Sequence, residues 1–184
     1  MKLKQRIARF ILQCAGWTAE DRLPQVRHCV MVIAPHTSNW DFVLCKLAAV
    51  AVDRQGRFLI KKDWFFFPMN LFFNWIGGIP IDRRHGRSHM TASLAEEFSR
   101  TEHLCLAITP EGTRKPNPDW KKGFYYIAIK SQVPIVITRI DYGKKHVGID
   151  EVFYPTGDEQ ADIKAVKEYY RHTTAKHPEN FRLE

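Results

Sequence analysis

The sequence predicts an α/β fold, in which helices flank a mixed, largely parallel central sheet. Apolar strand-like runs alternate along the chain with amphipathic helical stretches, which is the pattern of such folds. Hydrophobic residues make up 45% of the 184 positions, enough to bury a sizeable core. Polar motifs follow directly after two of the apolar runs, where sites of open α/β sheets gather. We therefore expect a single domain over residues 1–184.

The first 18 residues are expected to form an amphipathic helix. At helical spacing its apolar face carries Leu3, Ile7, Phe10, Ile11 and Cys14, and Trp17 continues that face. Lys2, Lys4, Arg6 and Arg9 mostly lie elsewhere on the wheel. Because Arg9 interrupts the apolar stretch and no small-x-small site follows, a signal peptide is not expected. Such a helix can rest in a membrane interface or pack on the core as an ordinary terminal helix, and both interpretations stay open.

Apolar runs and helical spacing alternate through the first half of the chain. The run CVMVI predicts a buried strand over 28–34, and the stretch NWDFVLCKLAAVAV predicts a helix over 39–52. RFLIKK predicts a strand over 57–62. The aromatic-rich stretch 64–78 is expected to be helical but broken at Pro68, because proline removes a helix hydrogen bond.

The second half continues the same alternation. Short apolar runs predict strands over 79–82, 103–109, 134–142 and 146–154. Amphipathic spacing predicts helices over 87–100, 123–132 and 158–176. No apolar run approaches the ~20 residues that span a bilayer.

The charge balance limits the kinds of partner that we expect this protein to bind. Lys and Arg number 28 against 20 acids, a formal charge of +8, which favours nucleic acid, a phospholipid surface or a phosphorylated substrate. The aromatic residues cluster with aliphatic ones rather than among Lys and Arg, and no recognition-helix pattern occurs, so we expect no nucleic acid. The four scattered cysteines form no C-x-x-C pair, which argues against zinc or a disulfide framework and fits a reducing compartment.

A histidine and an aspartate follow the first predicted buried strand. His36 comes two residues after this strand, and Asp41 falls in the first turn of the following helix, which Ser38 or Asn39 could cap. Neutral imidazole can accept a proton from an alcohol, and a carboxylate on its second nitrogen improves this by fixing the tautomer. Taken alone, the spacing H-x-x-x-x-D also fits a structural histidine beside a helix-start aspartate.

Three further stretches follow in order. GGIPIDRR (77–84) places Arg83 after a strand, TPEGTRK (109–115) places an acid, a glycine and an arginine after another, and VPIV (133–136) opens a third. Together with H-x-x-x-x-D they resemble the four ordered blocks of the glycerolipid acyltransferase family, the 1-acyl-sn-glycerol-3-phosphate acyltransferases and their relatives. The resemblance covers about residues 28–140, the motif-bearing core. It implies a glycerol-3-phosphate acyltransferase-like fold.

The resemblance also implies roles for the residues in these blocks. His36 would deprotonate the acceptor hydroxyl or amine, and Asp41 would orient His36. Arg83 and Arg114 would grip an anionic acceptor group such as a phosphate, where a guanidinium fork gives bidentate contacts. Glu111 would hold those arginines or an acceptor hydroxyl.

The remaining binding residues are less specific. Gly112 and Thr113 complete the third block, and Gly112 would let backbone approach the substrate. Lys62 could bind phosphate or be a surface lysine that snorkels. Outside the resemblance, EGTR could be a plain turn and Arg83 with Arg84 a solvated charge pair.

The aromatic run 64–75 has two interpretations. It can supply core and an acyl-chain groove, or form a wedge in a lipid interface, where Trp is favoured. We expect a combined role that faces lipid and lines the groove.

Together with the basic charge, the N-terminal helix and the aromatic run, the resemblance implies a peripheral membrane acyltransferase on the cytoplasmic, inner face of a membrane. It would move a fatty acyl chain from an acyl-CoA or acyl-carrier-protein thioester, with no cofactor or metal, to a lysophospholipid-type acceptor at an anionic membrane surface. The most direct acceptor is 1-acyl-sn-glycerol-3-phosphate, in phospholipid biosynthesis. Another lyso-lipid such as a lyso-aminolipid, or a non-catalytic binder of anionic lipid, stays open.

Overall fold

A computed structural model describes residues 1–24, 26–54, 56–82 and 86–184 of the chain. Across these ranges seven strands form one sheet. They are β1 (Thr18–Asp21), β2 (His28–Ala34), β3 (Gly56–Lys61), β4 (Gly78–Ile81), β5 (Leu104–Ile108), β6 (Ile135–Asp141) and β7 (His146–Phe153). The α-helices are α1 (Leu3–Cys14), α2 (Asn39–Ala51), α3 (Met69–Trp75), α4 (Gly86–Arg100), α5 (Gly123–Ser131) and α6 (Glu159–Glu168). Two 3₁₀ turns cover Lys62–Trp64 and Pro178–Asn180.

The strand order across the sheet is β1-β7-β6-β2-β5-β3-β4. Every neighbouring pair is parallel except β6 with β7, which is antiparallel. The predicted mixed, largely parallel α/β sheet is therefore confirmed. Since β2 and β5 are parallel neighbours near its centre, the loops that follow them emerge side by side at one edge of the sheet.

Helices cover both faces of the sheet. On one face, side chains of α4, α5 and α6 pack on Val30, Val32 and Leu106 of the central strands. On the other, α1 and α2 pack together over Ile140 and Val147 of β6 and β7. Each face thus buries its own apolar layer, as α/β sheets require.

The edge strand β1 was missed by the sequence prediction. Its four residues, TAED, carry no apolar alternation. A buried ion pair holds the strand in place, because Nε of Arg54 lies 2.5 Å from Oδ2 of Asp21 and the Arg54 side chain is almost fully buried. Long-range pairing with β7 and this ion pair outweigh the weak strand propensity of the segment. The last helix was predicted too long, since α6 ends at Glu168 rather than at residue 176.

The N-terminal amphipathic helix is confirmed, and α1 uses two different faces. Ala8 and Leu12 pack on α2, and Nε of Arg9 donates to the carbonyl of Ala51 at 3.0 Å. The predicted apolar face is the exposed one: Leu3, Ile7, Phe10, Ile11 and Cys14 all face outward. The placement of Trp17 on that face was wrong, because Trp17 follows the helix and is buried.

Candidate active site

A capping box at the start of α2 builds the centre of the site. Ser38 is the N-cap, and its Oγ accepts a hydrogen bond from the backbone N–H of Trp40 at 3.2 Å. Asp41 is the third helical residue, and its Oδ2 accepts from the backbone N–H groups of Thr37 and Ser38, each at 2.7 Å. These bonds satisfy donors that a helix start would leave unpaired. They also fix the position of a carboxylate that is only 1% exposed.

The same carboxylate holds the predicted base. Nδ1 of His36 lies 3.3 Å from Oδ2 of Asp41, and the imidazole is 22% exposed. A proton on Nδ1 faces the carboxylate, which leaves the lone pair on Nε2 free to accept a proton. The structure therefore brings His36 and Asp41 together with the geometry of a carboxylate-oriented general base.

Opposing effects set the pKa of Asp41. Burial by itself raises this pKa. Hydrogen bonds from His36, from Tyr142 and from the backbone of Ser38 and Thr37 lower it, and together they outweigh burial. The pKa of Asp41 therefore lies below its ordinary value of 3.8. Asp41 is therefore ionised at neutral pH and can stabilise a positive charge on the imidazole.

Glu111 supports the base from the other side. Its Oε1 accepts a hydrogen bond from the backbone N–H of His36 at 2.8 Å. Oε2 is buried and has no hydrogen-bond partner among the described residues. Burial raises the pKa of Glu111 to about 7. The contact that the structure shows for Glu111 is with the backbone of His36. The predicted contacts of Glu111 with the arginines or with an acceptor hydroxyl stay predictions.

The loop after β5 brings the third block to the site. Gly112 has a φ of +65°, and a Cβ there would lie 2.9 Å from Cγ of Lys121, so glycine is required by the turn itself. The neighbouring Thr113 accepts a hydrogen bond from the backbone of Lys115 at 3.2 Å. The exposed guanidinium of Arg114 donates to Oδ1 of Asn39, the first residue of α2.

The binding roles of two further residues, Arg83 and Lys62, stay predictions. Arg83 lies outside the described residues, so its predicted contact with an acceptor stays a prediction. Lys62 is exposed in the 3₁₀ turn after β3, and it does not line the cleft described below. The role of Lys62 in phosphate binding also stays a prediction.

A cleft of about 1720 Å³ opens at the imidazole. Its apolar wall runs between α2 and the sheet and includes Met31, Ile33, Phe42, Phe58 and Ala107. Its cationic lining consists of Lys46, Arg114, Lys115, Lys121, Lys122 and Lys130. One cleft thus joins an apolar wall, a base and a rim of positive charge.

The groove assigned to the aromatic run 64–75 is not built by that run. None of its residues lines the cleft, and Trp64, Phe66, Phe67, Leu71, Phe72 and Trp75 are exposed. The aromatic lining of the cleft comes from α2, β3 and α5, because these elements flank the open edge of the sheet.

Two residues of the site were missed by the sequence analysis. Asn39 contacts Arg114, and the hydroxyl of Tyr142 donates to Oδ1 of Asp41 at 2.7 Å. Tyr142 directly follows β6, a parallel neighbour of β2, so its place at the same edge of the sheet was the available signal. Among the described residues no group of three or more His, Cys, Asp or Glu side chains could hold a metal ion.

Comparisons with known proteins identify relatives of this chain. The Acyltransferase family model matches residues 17–140. The human 1-acyl-sn-glycerol-3-phosphate acyltransferase beta is 36% identical over 121 residues, which cover 62% of this chain and 42% of that protein. The chain therefore matches less than half the length of this curated relative.

A solved structure is similar in fold. The crystal structure of the 1-acyl-sn-glycerophosphate (LPA) acyltransferase PlsC from Thermotoga maritima matches with a TM-score of 0.62 at 19% identity. The match covers 90% of this chain and 74% of that one. The fold expected from the four sequence blocks is thus confirmed.

Glu111 should make stability depend on pH. Its carboxyl stays neutral up to about pH 7 in the folded protein but ionises from about 4.5 in the unfolded chain, so stability falls as pH rises through this window. Glu111→Gln removes the dependence. From about pH 5 to about pH 8, the free energy of unfolding of Glu111→Gln should therefore gain roughly 2–3 kcal/mol relative to wild type, measured by urea denaturation.

The exposed Glu151 provides the control for this measurement, because Glu151→Gln should leave the pH dependence of wild type unchanged. Parallel pH curves for wild type and Glu111→Gln would contradict the buried, neutral carboxyl.

Proposed function

The chain belongs to the acyltransferase family, and from this we propose that it transfers a fatty acyl chain from a thioester donor, acyl-CoA or acyl-carrier protein, to a lysophospholipid-type acceptor. The most direct acceptor is 1-acyl-sn-glycerol-3-phosphate, which would place the reaction in phospholipid biosynthesis. The observation that carries the proposal is the carboxylate-held imidazole of His36, which lines a cleft together with both apolar and cationic side chains. The whole chain, 1–184, acts in this proposal as one acyltransferase domain.

The chemistry assigned to His36 is general-base catalysis. Nε2 takes the proton of the acceptor hydroxyl as its oxygen attacks the thioester carbonyl. The tetrahedral intermediate then collapses, the C–S bond breaks, and the imidazolium returns the proton to the leaving thiolate. Asp41 stabilises the imidazolium while it exists. General-base help of this type is worth about 10²–10⁴ in rate.

A covalent acyl-enzyme is disfavoured by the state of the nearest cysteine. Cys45 lines the cleft one turn of α2 beyond Asp41. Burial, together with the charge of Asp41, raises the pKa of this thiol to about 12. Since the thiolate is the nucleophilic form, Cys45 stays unreactive at neutral pH. Direct transfer from donor to acceptor is therefore the mechanism we propose.

The shape of the cleft supports an acyl substrate. Small-molecule sites typically measure about 300–1,000 Å³. At about 1720 Å³ this cleft has room for an acyl chain in addition to polar head groups. The apolar wall between α2 and the sheet would take the chain, because burial of apolar surface is favourable there.

Arg114 is the described residue best placed to hold an acceptor phosphate. Its guanidinium is exposed at the cleft and is oriented by Asn39 at the first turn of α2. Arginine binds phosphate through two parallel hydrogen bonds, which a lysine cannot reproduce. This arrangement favours a phosphate-bearing acceptor over an uncharged one, and over a lyso-aminolipid that lacks the phosphate.

Two apolar surfaces support attachment to a membrane. On α1, the exposed stripe includes Phe10 at 65% exposure, and on α3 the indole of Trp75 is 82% exposed. Both helices lie beside α2: α1 packs on it, and Nζ of Lys46 in α2 donates to the carbonyl of Ile76, just after α3, at 2.7 Å. Monomeric proteins rarely expose apolar surface of this extent without a partner.

The mode of attachment that we propose is peripheral. None of the helices in the described part of the chain has the length and apolarity needed to cross a bilayer. Basic residues flank the α1 stripe, and each would add about 1 kcal/mol at an anionic surface. The donor thioesters are charged molecules of the cytoplasm, so the inner face of the membrane is the side that we propose.

The first prediction for this function concerns the base, His36. In an assay with labelled acyl-CoA or acyl-carrier protein and a panel of lysolipids, His36→Ala should lower kcat/KM by roughly 10²–10⁴, because the acceptor loses its proton acceptor. His172→Ala, a change at an exposed histidine, should behave as wild type. Full activity of His36→Ala would refute the proposed chemistry, and an inactive wild type across a broad panel would favour a non-catalytic lipid binder.

Arg114 makes the second prediction. Arg114→Ala should raise KM for a phosphate-bearing acceptor about tenfold or more while KM for the donor changes little, because a charge-assisted hydrogen bond is lost. Arg114→Lys should recover only part of the loss, since it restores the charge but not the fork. Equal effects on donor and acceptor would show that Arg114 does not select the acceptor.

The exposed α1 stripe makes the third prediction. The double change Ile7→Asn and Phe10→Asn should weaken binding to vesicles that contain phosphatidylglycerol by about tenfold or more, because it removes apolar surface available to the interface. Tyr154→Asn is a matched control, since Tyr154 is 71% exposed but follows β7 and is not part of α1. Equal sedimentation of both variants with vesicles would remove α1 as an attachment surface.

A further inference from the structure

The carboxylate of Asp41 is held from two opposite directions. Oδ2 faces His36 and the backbone N–H groups of Thr37 and Ser38. Oδ1 accepts a single hydrogen bond, from the hydroxyl of Tyr142 at 2.7 Å, a residue 101 positions further along the chain. The α2 capping box therefore fixes one oxygen, and only Tyr142 fixes the other among the described residues.

We propose that Tyr142 is a positioning residue for the reaction, which holds the plane of the Asp41 carboxylate so that Oδ2 stays aimed at Nδ1 of His36. This inference rests on the proposed acyl transfer and adds a third member to the His36–Asp41 pair. A hydrogen bond on each oxygen prevents the carboxylate from rotating about its Cβ–Cγ bond. The imidazole then keeps one orientation, with Nε2 toward the cleft.

The hydroxyl is a permanent donor. Burial, and then the hydrogen bond to Asp41, raise the pKa of Tyr142 well above its ordinary value of 10.0. The phenol thus stays protonated throughout the neutral range, and an ionised Asp41 can only accept from it. Tyr142 is therefore the donor and Asp41 the acceptor of this hydrogen bond at every pH at which His36 could act as a base.

The backbone and ring of Tyr142 are themselves fixed. The backbone N–H donates to the carbonyl of Thr174 at 2.8 Å, in the segment after α6. The ring packs edge-on against Trp17, with centroids 4.9 Å apart and planes at 86°. Such aromatic pairs have a defined geometry. The contacts with Thr174 and Trp17, which both lie outside the H-x-x-x-x-D block, therefore hold the Tyr142 hydroxyl in place beside Asp41.

The remaining ionisable groups around Asp41 do not replace this donor. His36 contacts the other oxygen, the thiol of Cys45 lies one turn further along α2, and Glu111 approaches from the loop after β5 with its own hydrogen bond to His36. Loss of the tyrosine hydroxyl would leave Oδ1 buried without a donor, which disfavours the charged carboxylate.

The test is Tyr142→Phe, which removes one oxygen and keeps the ring contact with Trp17. We expect kcat to fall about tenfold or more with both KM values within about twofold, because the base is misoriented while the binding groups are untouched. The pKa of Asp41, followed by ¹³C NMR of its carboxyl carbon, should rise by about one unit because a donor to the charged form is lost.

A purely structural role predicts a different pattern. If Tyr142 only packed against Trp17, Tyr142→Phe would keep the wild-type kcat and Asp41 titration, and this result would overturn the proposal. The matched change Trp17→Phe keeps an aromatic partner and the Tyr142 hydroxyl, so it should leave the Asp41 titration in place. A shift with Trp17→Phe as large as with Tyr142→Phe would also overturn it.

The test separates this inference from the proposed function. An inactive wild type would reject acyl transfer and with it any catalytic role of Tyr142, whereas the NMR titration would still show whether the hydroxyl holds the carboxylate. If Tyr142→Phe does not fold, incorporation of 3-fluorotyrosine at position 142 keeps the ring and strengthens the donor. The pKa of Asp41 should then fall, and an unchanged titration would overturn the proposal.

Discussion

The burial of one ionised carboxylate organises the site. Asp41 is almost completely withdrawn from solvent, and a charge in that position is tolerated only with several hydrogen-bond donors. The backbone of Thr37 and Ser38 supplies two, Tyr142 supplies a third, and His36 completes the set. The spacing H-x-x-x-x-D thus has a physical cause. An aspartate at the third helical position caps the helix by accepting hydrogen bonds from the preceding loop, and this loop turns the histidine back toward the aspartate.

The sheet joins this loop to a second carboxyl of opposite character. Because β2 and β5 are parallel neighbours, the loops after them meet, and Glu111 takes the backbone N–H of His36. Hydrogen bonds keep Asp41 ionised, whereas burial without full pairing keeps Glu111 neutral up to about pH 7. Environments that separate the pKa values of two neighbouring acids in this way are usual at catalytic centres. Here Asp41 contacts the imidazole of His36, and Glu111 accepts a hydrogen bond from the backbone of the same residue.

Exposed apolar side chains lie on the outer surface beside the site. Two helices beside α2 present exposed apolar side chains, while lysines and Arg114 line the cleft. The helix α1 achieves this by packing through the small Ala8 and through Leu12, which leaves its larger apolar residues free.

The sequence by itself determined the α/β class, the order of most elements, the His36–Asp41 pair and the block that carries Glu111, Gly112 and Arg114. The class and the elements follow from local periodicity, which acts over a few positions, whereas the pair and the block were singled out by the resemblance of four ordered blocks to a known family. Tertiary structure alone decided the strand β1, the side of α1 that is buried, the backbone contact of Glu111 and the hydroxyl of Tyr142 on Asp41. Each of these depends on groups that are far apart in the chain, so no local pattern could carry them.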